Sequence, residues 1–186
     1  LNGKEEFIYF SGEIYNTVKW MDIKSPKDKP GGRHLIGKDS YVEGRYNFNG
    51  KYSSFIGSDD TDEGLKILSY DPTVTNLKDK ENYANTVFGI QKKLSEGGFA
   101  PEPYEIIICH DSQTFYYAIK MQNVKGKFVE PSEDWINNLL KFCKDNNISR
   151  EGWSIRNDCV PKNCIEVNNK IYLVDIDYRW KWDNDA

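Results

Sequence analysis

Only two stretches of this chain carry helical periodicity, and short alternating segments separated by glycine fill most of the remainder, so its elements can follow only a few orders. Residues 76–95 place Ala84, Val87, Ile90 and Leu94 on one face and run into Gly97-Gly98, which stops a helix. Residues 132–146 open on Ser132 as an N-cap and carry Glu133 and Asp134 in the first turn. Their buried stripe is Trp135, Ile136, Leu139, Leu140, Phe142 and Cys143. Ahead of the first helix, Leu35-Ile36, residues 41–48, 52–56 and 64–68 read as strands punctuated by Gly37, Gly44, Gly50 and Gly57, the pattern of antiparallel pairing with tight turns. Strands at 104–109 and 114–122, joined by a polar turn at 110–113, separate the helices. After the second helix, Cys164-Ile165-Glu166-Val167, the pair Asn168-Asn169 and residues 170–174 read as a hairpin whose turn tolerates positive φ. The order of strands, helix, strands, helix and hairpin predicts an α+β fold built on an antiparallel sheet.

The N-terminal part is set apart by composition. Residues 5–24 alternate, with Phe7, Tyr9, Phe10, Ile14, Tyr15, Val18, Trp20 and Met21, and read as a strand pair or as a strand and a short helix. Pro26, Pro30 and Gly31-Gly32 make 25–32 a loop, so residues 1–33 are expected to be an extension packing on the main fold. A length of 186 residues fits one domain, or two small lobes around a cleft. Aromatic residues at 14% argue for a packed core although only 38% of the chain is hydrophobic. The formal charge is −4 with no long basic block, which argues against nucleic acid as a partner. No apolar stretch reaches membrane-spanning length and no charged-then-apolar leader is seen, so no membrane partner and a cytoplasmic location are expected. Cys109, Cys143, Cys159 and Cys164 form no C-x-x-C pair and have no zinc-ligand spacing to His34 or His110. Reduced, buried thiols and surface or turn histidines are the expectation.

The chemistry-bearing feature is Arg156-Asn157-Asp158-Cys159-Val160-Pro161-Lys162-Asn163, followed by an apolar run ending in Val174-Asp175-Ile176-Asp177. With 16 Asp and 17 Asn in the chain, about one or two Asp-x-x-x-x-Asn pairs arise by chance, and Asp71 with Asn76 is such a pair. What distinguishes Asp158 and Asn163 is the hairpin after them, which brings Asp175 back toward Asn163 so that two oxygen ligands can share a cation. Phosphoryl transfer needs such ligands and an acceptor for the nucleophile's proton. Other residues keep two readings. Lys66 is an anion contact or an edge-strand lysine, Arg156 orients Asp158 or pairs with a surface acid, Asp177 is a turn residue, and Trp180 and Trp182 are packing groups.

Taken together, residues 34 to 180 resemble the protein-kinase superfamily. Leu65-Lys66-Ile67-Leu68 looks like the strand that carries the family's lysine, Gly98-Phe99-Ala100-Pro101 like the turn after its regulatory helix, and residues 116–126 (YYAIKMQNVKG) like the strand that enters the adenine-contacting hinge. The resemblance implies Asp158 as the catalytic-loop aspartate, Asn163 and Asp175 as Mg²⁺ ligands, and Lys66 as the phosphate-pairing lysine. It further implies Gln122 and Val124 at the hinge, and residues 37–44, from Gly37 to Gly44, as a degenerate phosphate-covering loop. Residues 34–124 would then be a sheet lobe with one main helix, and 125–186 a minimal second lobe of one helix and the catalytic-loop hairpin. The implied cofactors are ATP and Mg²⁺, and the implied activity is phosphotransfer to a hydroxyl acceptor. The likeness is to a miniature or truncated member of the kind viruses and bacterial effectors encode, which would place it in a host cytoplasm. Departures are specific: the register against Ile90 and Leu94 puts Val87 where the family has a glutamate partner for Lys66. Arg156-Asn157 replaces His-Arg, Val160 a lysine, and Asp177 a glycine. The alternatives are a pseudokinase-type module that scaffolds a protein partner, and a β-rich interaction domain whose Asp and Asn matches are accidental.

Overall fold

A chain of short strands satisfies its backbone only by pairing them, and among the described residues every strand pair is antiparallel. The computed structural model describes residues 7–10, 13–16, 39–42, 45–49, 53–58, 62–68, 76–110, 115–152 and 154–183. β1 (Phe7–Phe10) and β2 (Glu13–Asn16) form a hairpin of their own. The main sheet is built from β3 (Asp39–Val42), β4 (Arg45–Asn49), β5 (Ser53–Ser58), β6 (Glu63–Leu68), β7 (Pro103–His110) and β8 (Phe115–Gln122). Among the described residues its order is β3-β4-β5-β6-β8-β7, antiparallel throughout. The segment expected as one strand over 41–48 is thus parts of two, β3 and β4.

α1 (Leu77–Glu96) links β6 to β7 and lies on one face of this sheet. Asn76 caps it by accepting from the Lys78 N–H, so the chance Asp71/Asn76 pair supplies a helix cap. At its other end Phe99 N–H bonds to Leu94 C=O and Gly98 takes φ 85°, a conformation glycine adopts without strain. Ala84, Val87, Ile90 and Leu94 are fully buried, as the periodicity predicts. They pack on Leu68, Tyr117, Ile119 and Met121, the residues that alternation places on the α1 side of β6 and β8. Lys66 belongs to the same row.

α2 (Glu133–Asp145) is capped by Ser132 and buries Ile136, Leu139 and Cys143, with Trp135, Leu140 and Phe142 partly covered. β9 (Lys127–Phe128) pairs with β11 (Cys164–Val167), which forms a hairpin with β12 (Lys170–Leu173). Asn168 and Asn169, at φ 52° and 64°, make the expected turn. β10 (Ile148–Arg150) pairs with β13 (Trp180–Trp182). The sheet, both helices and these C-terminal segments share one hydrophobic cluster, in which Trp180 is fully buried. Phe99 joins the parts: its carbonyl accepts from Leu173 N–H, and its ring meets Trp135 and Phe142. Among the described residues no helix is long and apolar enough to cross a membrane.

Candidate functional site

β6 runs between β5 and β8, so Lys66 is not an edge-strand lysine. Its side chain enters the core and is 2% exposed. A buried ammonium is costly unless its protons find acceptors. Nζ donates to Gln91 Oε1 on α1 at 2.5 Å and to the Ile176 carbonyl at 3.0 Å. Burial still dominates and lowers the Lys66 pKa from 10.5 to about 8, with the charges of Asp175 and Asp177 acting the other way.

The segment it reaches is held from the opposite side. Val174 N–H bonds to Asn163 C=O at 2.9 Å, and Asn163 Nδ2 donates to the Asp158 carbonyl at 3.0 Å. Two short 3-10 turns, Ile155–Asp158 and Pro161–Asn163, carry these residues. Asp158 and Asn163 are both buried, and Asp175 is half-buried. Desolvation raises the Asp158 carboxyl to about 6; Arg150 pulls it down, Asp175 and Asp177 push it further up, and Arg179 lowers it. Lys66, Asp158, Asn163 and Asp175 therefore converge from three separate parts of the chain.

Two sequence readings are resolved by contacts. Arg156 pairs with Glu133 and Asn137 on α2, not with Asp158. Asp177 accepts from the N–H, Nε and guanidinium NH2 of Arg179, so it closes a turn. Two residues were missed. Arg150 Nε meets Asp158 Oδ2 in an ion pair almost shut off from water, a contact of charge whose N–H is not aimed for a hydrogen bond. Its signal was faint: in Ile148-Ser149-Arg150 alternation puts the arginine on the buried side with Ile148. Gln91 is the other. It follows Val87 by four residues on the buried stripe of α1, where a polar side chain must have a partner.

The remaining calls are placed less fully. Gly37 and Gly44 lie outside the described residues; between them Asp39–Val42 is strand β3, separated from β6 by β4 and β5. Gln122 ends β8 and is occupied twice by Glu102, through its own N–H and through its side-chain oxygen. No hydrogen bond to the backbone of Val124, two residues on, forms among the described residues. Trp180 and Trp182 are packing groups, Trp182 lying against Gly89 of α1. Cys143, Cys159 and Cys164 are buried free thiols pushed up to about 12, 11 and 12 by burial, unsuited to nucleophilic work. His34 and the side chains of Cys109 and His110 lie outside the described residues.

Among the described residues no group of three or more His, Cys, Asp or Glu is arranged to hold a metal. Asn163 turns its side-chain NH2 to the Asp158 carbonyl. No protein-family model and no curated protein matches this chain.

Proposed function

We propose that this chain is a kinase-like protein that binds ATP with Mg²⁺ and supports phosphoryl transfer to a hydroxyl acceptor. The observation that carries the reading is the hydrogen bond from Lys66 to the Ile176 carbonyl, between residues 110 apart in sequence. It sets a cation beside Asp175 while Val174 is held by Asn163, so the groups suited to phosphate, metal and proton meet in one place. The antiparallel sheet with α1 on its face, and the segment of one helix and one hairpin, support the reading because the kinase resemblance implies that layout.

In this account Lys66 faces the phosphates, and Asn163 and Asp175 hold Mg²⁺, which when bound neutralises phosphate charge. Asp158 accepts the hydroxyl proton. A carboxyl titrating near 6 is ionised at neutral pH yet more basic than an exposed aspartate, which suits a general base. One contact favours a second reading, a pseudokinase-type module that binds nucleotide or a protein partner without transfer: the Arg150 charge pairs with the Asp158 carboxylate and lowers its basicity.

Transfer of phosphate from ATP to the protein itself or to a generic hydroxyl acceptor separates the two. Asp158→Asn is the informative variant, because it removes the carboxylate yet keeps an oxygen beside Arg150, whereas Asp158→Ala removes both. The enzyme reading predicts transfer by the wild type and a loss of about 10²-fold or more in Asp158→Asn, the size of a positioned base's contribution. A wild type that binds ATP but transfers nothing supports the binding module instead.

A further inference from the structure

Arg150 stands on β10 and Asp158 ends a 3-10 turn, so their ion pair joins two separate elements. The arginine is the anchored partner. It lies opposite Trp180 in the β10–β13 ladder, the next residue's N–H bonds to the Arg179 carbonyl at 2.8 Å, and Arg150 Nη1 donates to the Glu151 carbonyl at 3.3 Å. It is also the inner partner, its side chain 2% exposed against 11% for Asp158. The guanidinium sits behind the carboxylate.

We propose that Arg150 is a positioning residue, which pins one oxygen of Asp158 inside the protein and so turns the other toward the acceptor hydroxyl. The proposal rests on the phosphotransfer reading above. The turn's own hydrogen bonds, Asn157 N–H to Ser154 C=O and Cys159 N–H to Arg156 C=O, fix its backbone, and the Asn163 amide holds the Asp158 carbonyl. None of them touches the carboxylate. Among the described residues the ion pair of Asp158 is with Arg150. The oxygen that Arg150 meets is Oδ2, which is sealed from solvent, so Oδ1 is the oxygen left facing outward.

In the transfer, Oδ1 takes the hydroxyl proton while the acceptor oxygen bonds the γ-phosphorus and the bond to ADP breaks. A base displaced by roughly 1 Å can lose on the order of 10²-fold in rate. Direction is therefore worth holding. Arg150 lowers the basicity of Asp158, but burial acts more strongly the other way. The carboxylate is thus restrained and still able to accept a proton.

Transfer from ATP to the protein itself and to a peptide library bearing serine, threonine and tyrosine, with rate and KM for ATP measured separately, tests this in the whole chain. Arg150→Met should transfer about 10- to 10²-fold more slowly at an unchanged KM for ATP. Arg150→Lys, which keeps a cation on β10, should recover most of the rate. In an Asp158→Asn background the further change Arg150→Met should have no effect, because Arg150 acts through the carboxylate. Should Arg150→Met not fold, Arg150→Gln takes its place. Transfer by the neutral variant at or above the wild-type rate overturns the proposal and makes Arg150 a brake on Asp158. A parallel loss of rate and ATP affinity, or an equal loss in the Asp158→Asn background, overturns it in favour of a structural ion pair. A wild type that binds ATP and transfers nothing overturns the transfer reading, and the proposal with it.

Discussion

A lysine sealed in a protein core changes stability in a way an exposed one does not, and Lys66 gives that effect a pH window. Its pKa is 10.5 when solvated and about 8 when folded. Between those values the unfolded chain binds more protons, so this group's contribution to stability rises with pH across the window. Below about pH 8 folding bears the full cost of burying the ammonium, on the order of 3 kcal/mol. Lys66→Met lacks that dependence, although it leaves Gln91 Oε1 and the Ile176 carbonyl without their donor. Urea unfolding near pH 7 and near pH 10 should show the wild type gaining on Lys66→Met at the higher pH. Parallel behaviour of the two proteins would mean that Lys66 is not buried as described. Lys66, Asp158, Asn163 and Asp175 could be singled out as candidates in the sequence, since each sits in a local pattern. Gln91 was not, because the reading sought a glutamate and settled on Val87, one turn away on the same stripe. Arg150 escaped for a similar reason: Arg156 is closer in sequence to Asp158, and only the β10–β13 pairing shows which arginine turns inward.

Elements were more legible than residues, since capping and periodicity are local. Asn76, Ser132, the Gly97-Gly98 stop and the Asn168-Asn169 turn each fall at the expected place. The failure over 41–48 also has a local cause: β3 and β4 are both rich in Tyr, Phe and Val, and alternation alone cannot mark a reversal between them. Glycine substitutions test how tightly the elements are seated. A Cβ on Gly126 would fall inside van der Waals contact of the Glu166 carbonyl and 2.5 Å from Val167 Cγ2, and backbone cannot give way as a side chain can. A Cβ on Gly89 would lie 3.4 Å from the Trp182 ring, an ordinary contact, within a helix that favours alanine. Gly126→Ala should therefore cost about 1–3 kcal/mol, while Gly89→Ala should be neutral or stabilising by up to about 1 kcal/mol. Thermal unfolding would separate them by several degrees, at about 2–4 °C per kcal/mol for a chain of this size. Equal midpoints would show that residues 123–126 do not press on the hairpin.

At the scale of the whole molecule the candidate residues come together because distant segments are tied across one core. Phe99 bonds β12 to the turn after α1, Trp182 packs on α1 at Gly89, and Lys66 spans from the sheet to Ile176. None of these ties is written in a short sequence window, which is why the order of elements was legible and their closure was not. The central claim is that this closure makes a nucleotide and Mg²⁺ site, and ATP binding measured by calorimetry with and without Mg²⁺ tests it most directly. The wild type should bind ATP at least about tenfold more tightly with Mg²⁺, and folded Asp175→Ala should lose that difference. Absence of ATP binding by the wild type under both conditions, or an unchanged Mg²⁺ effect in Asp175→Ala, would contradict it.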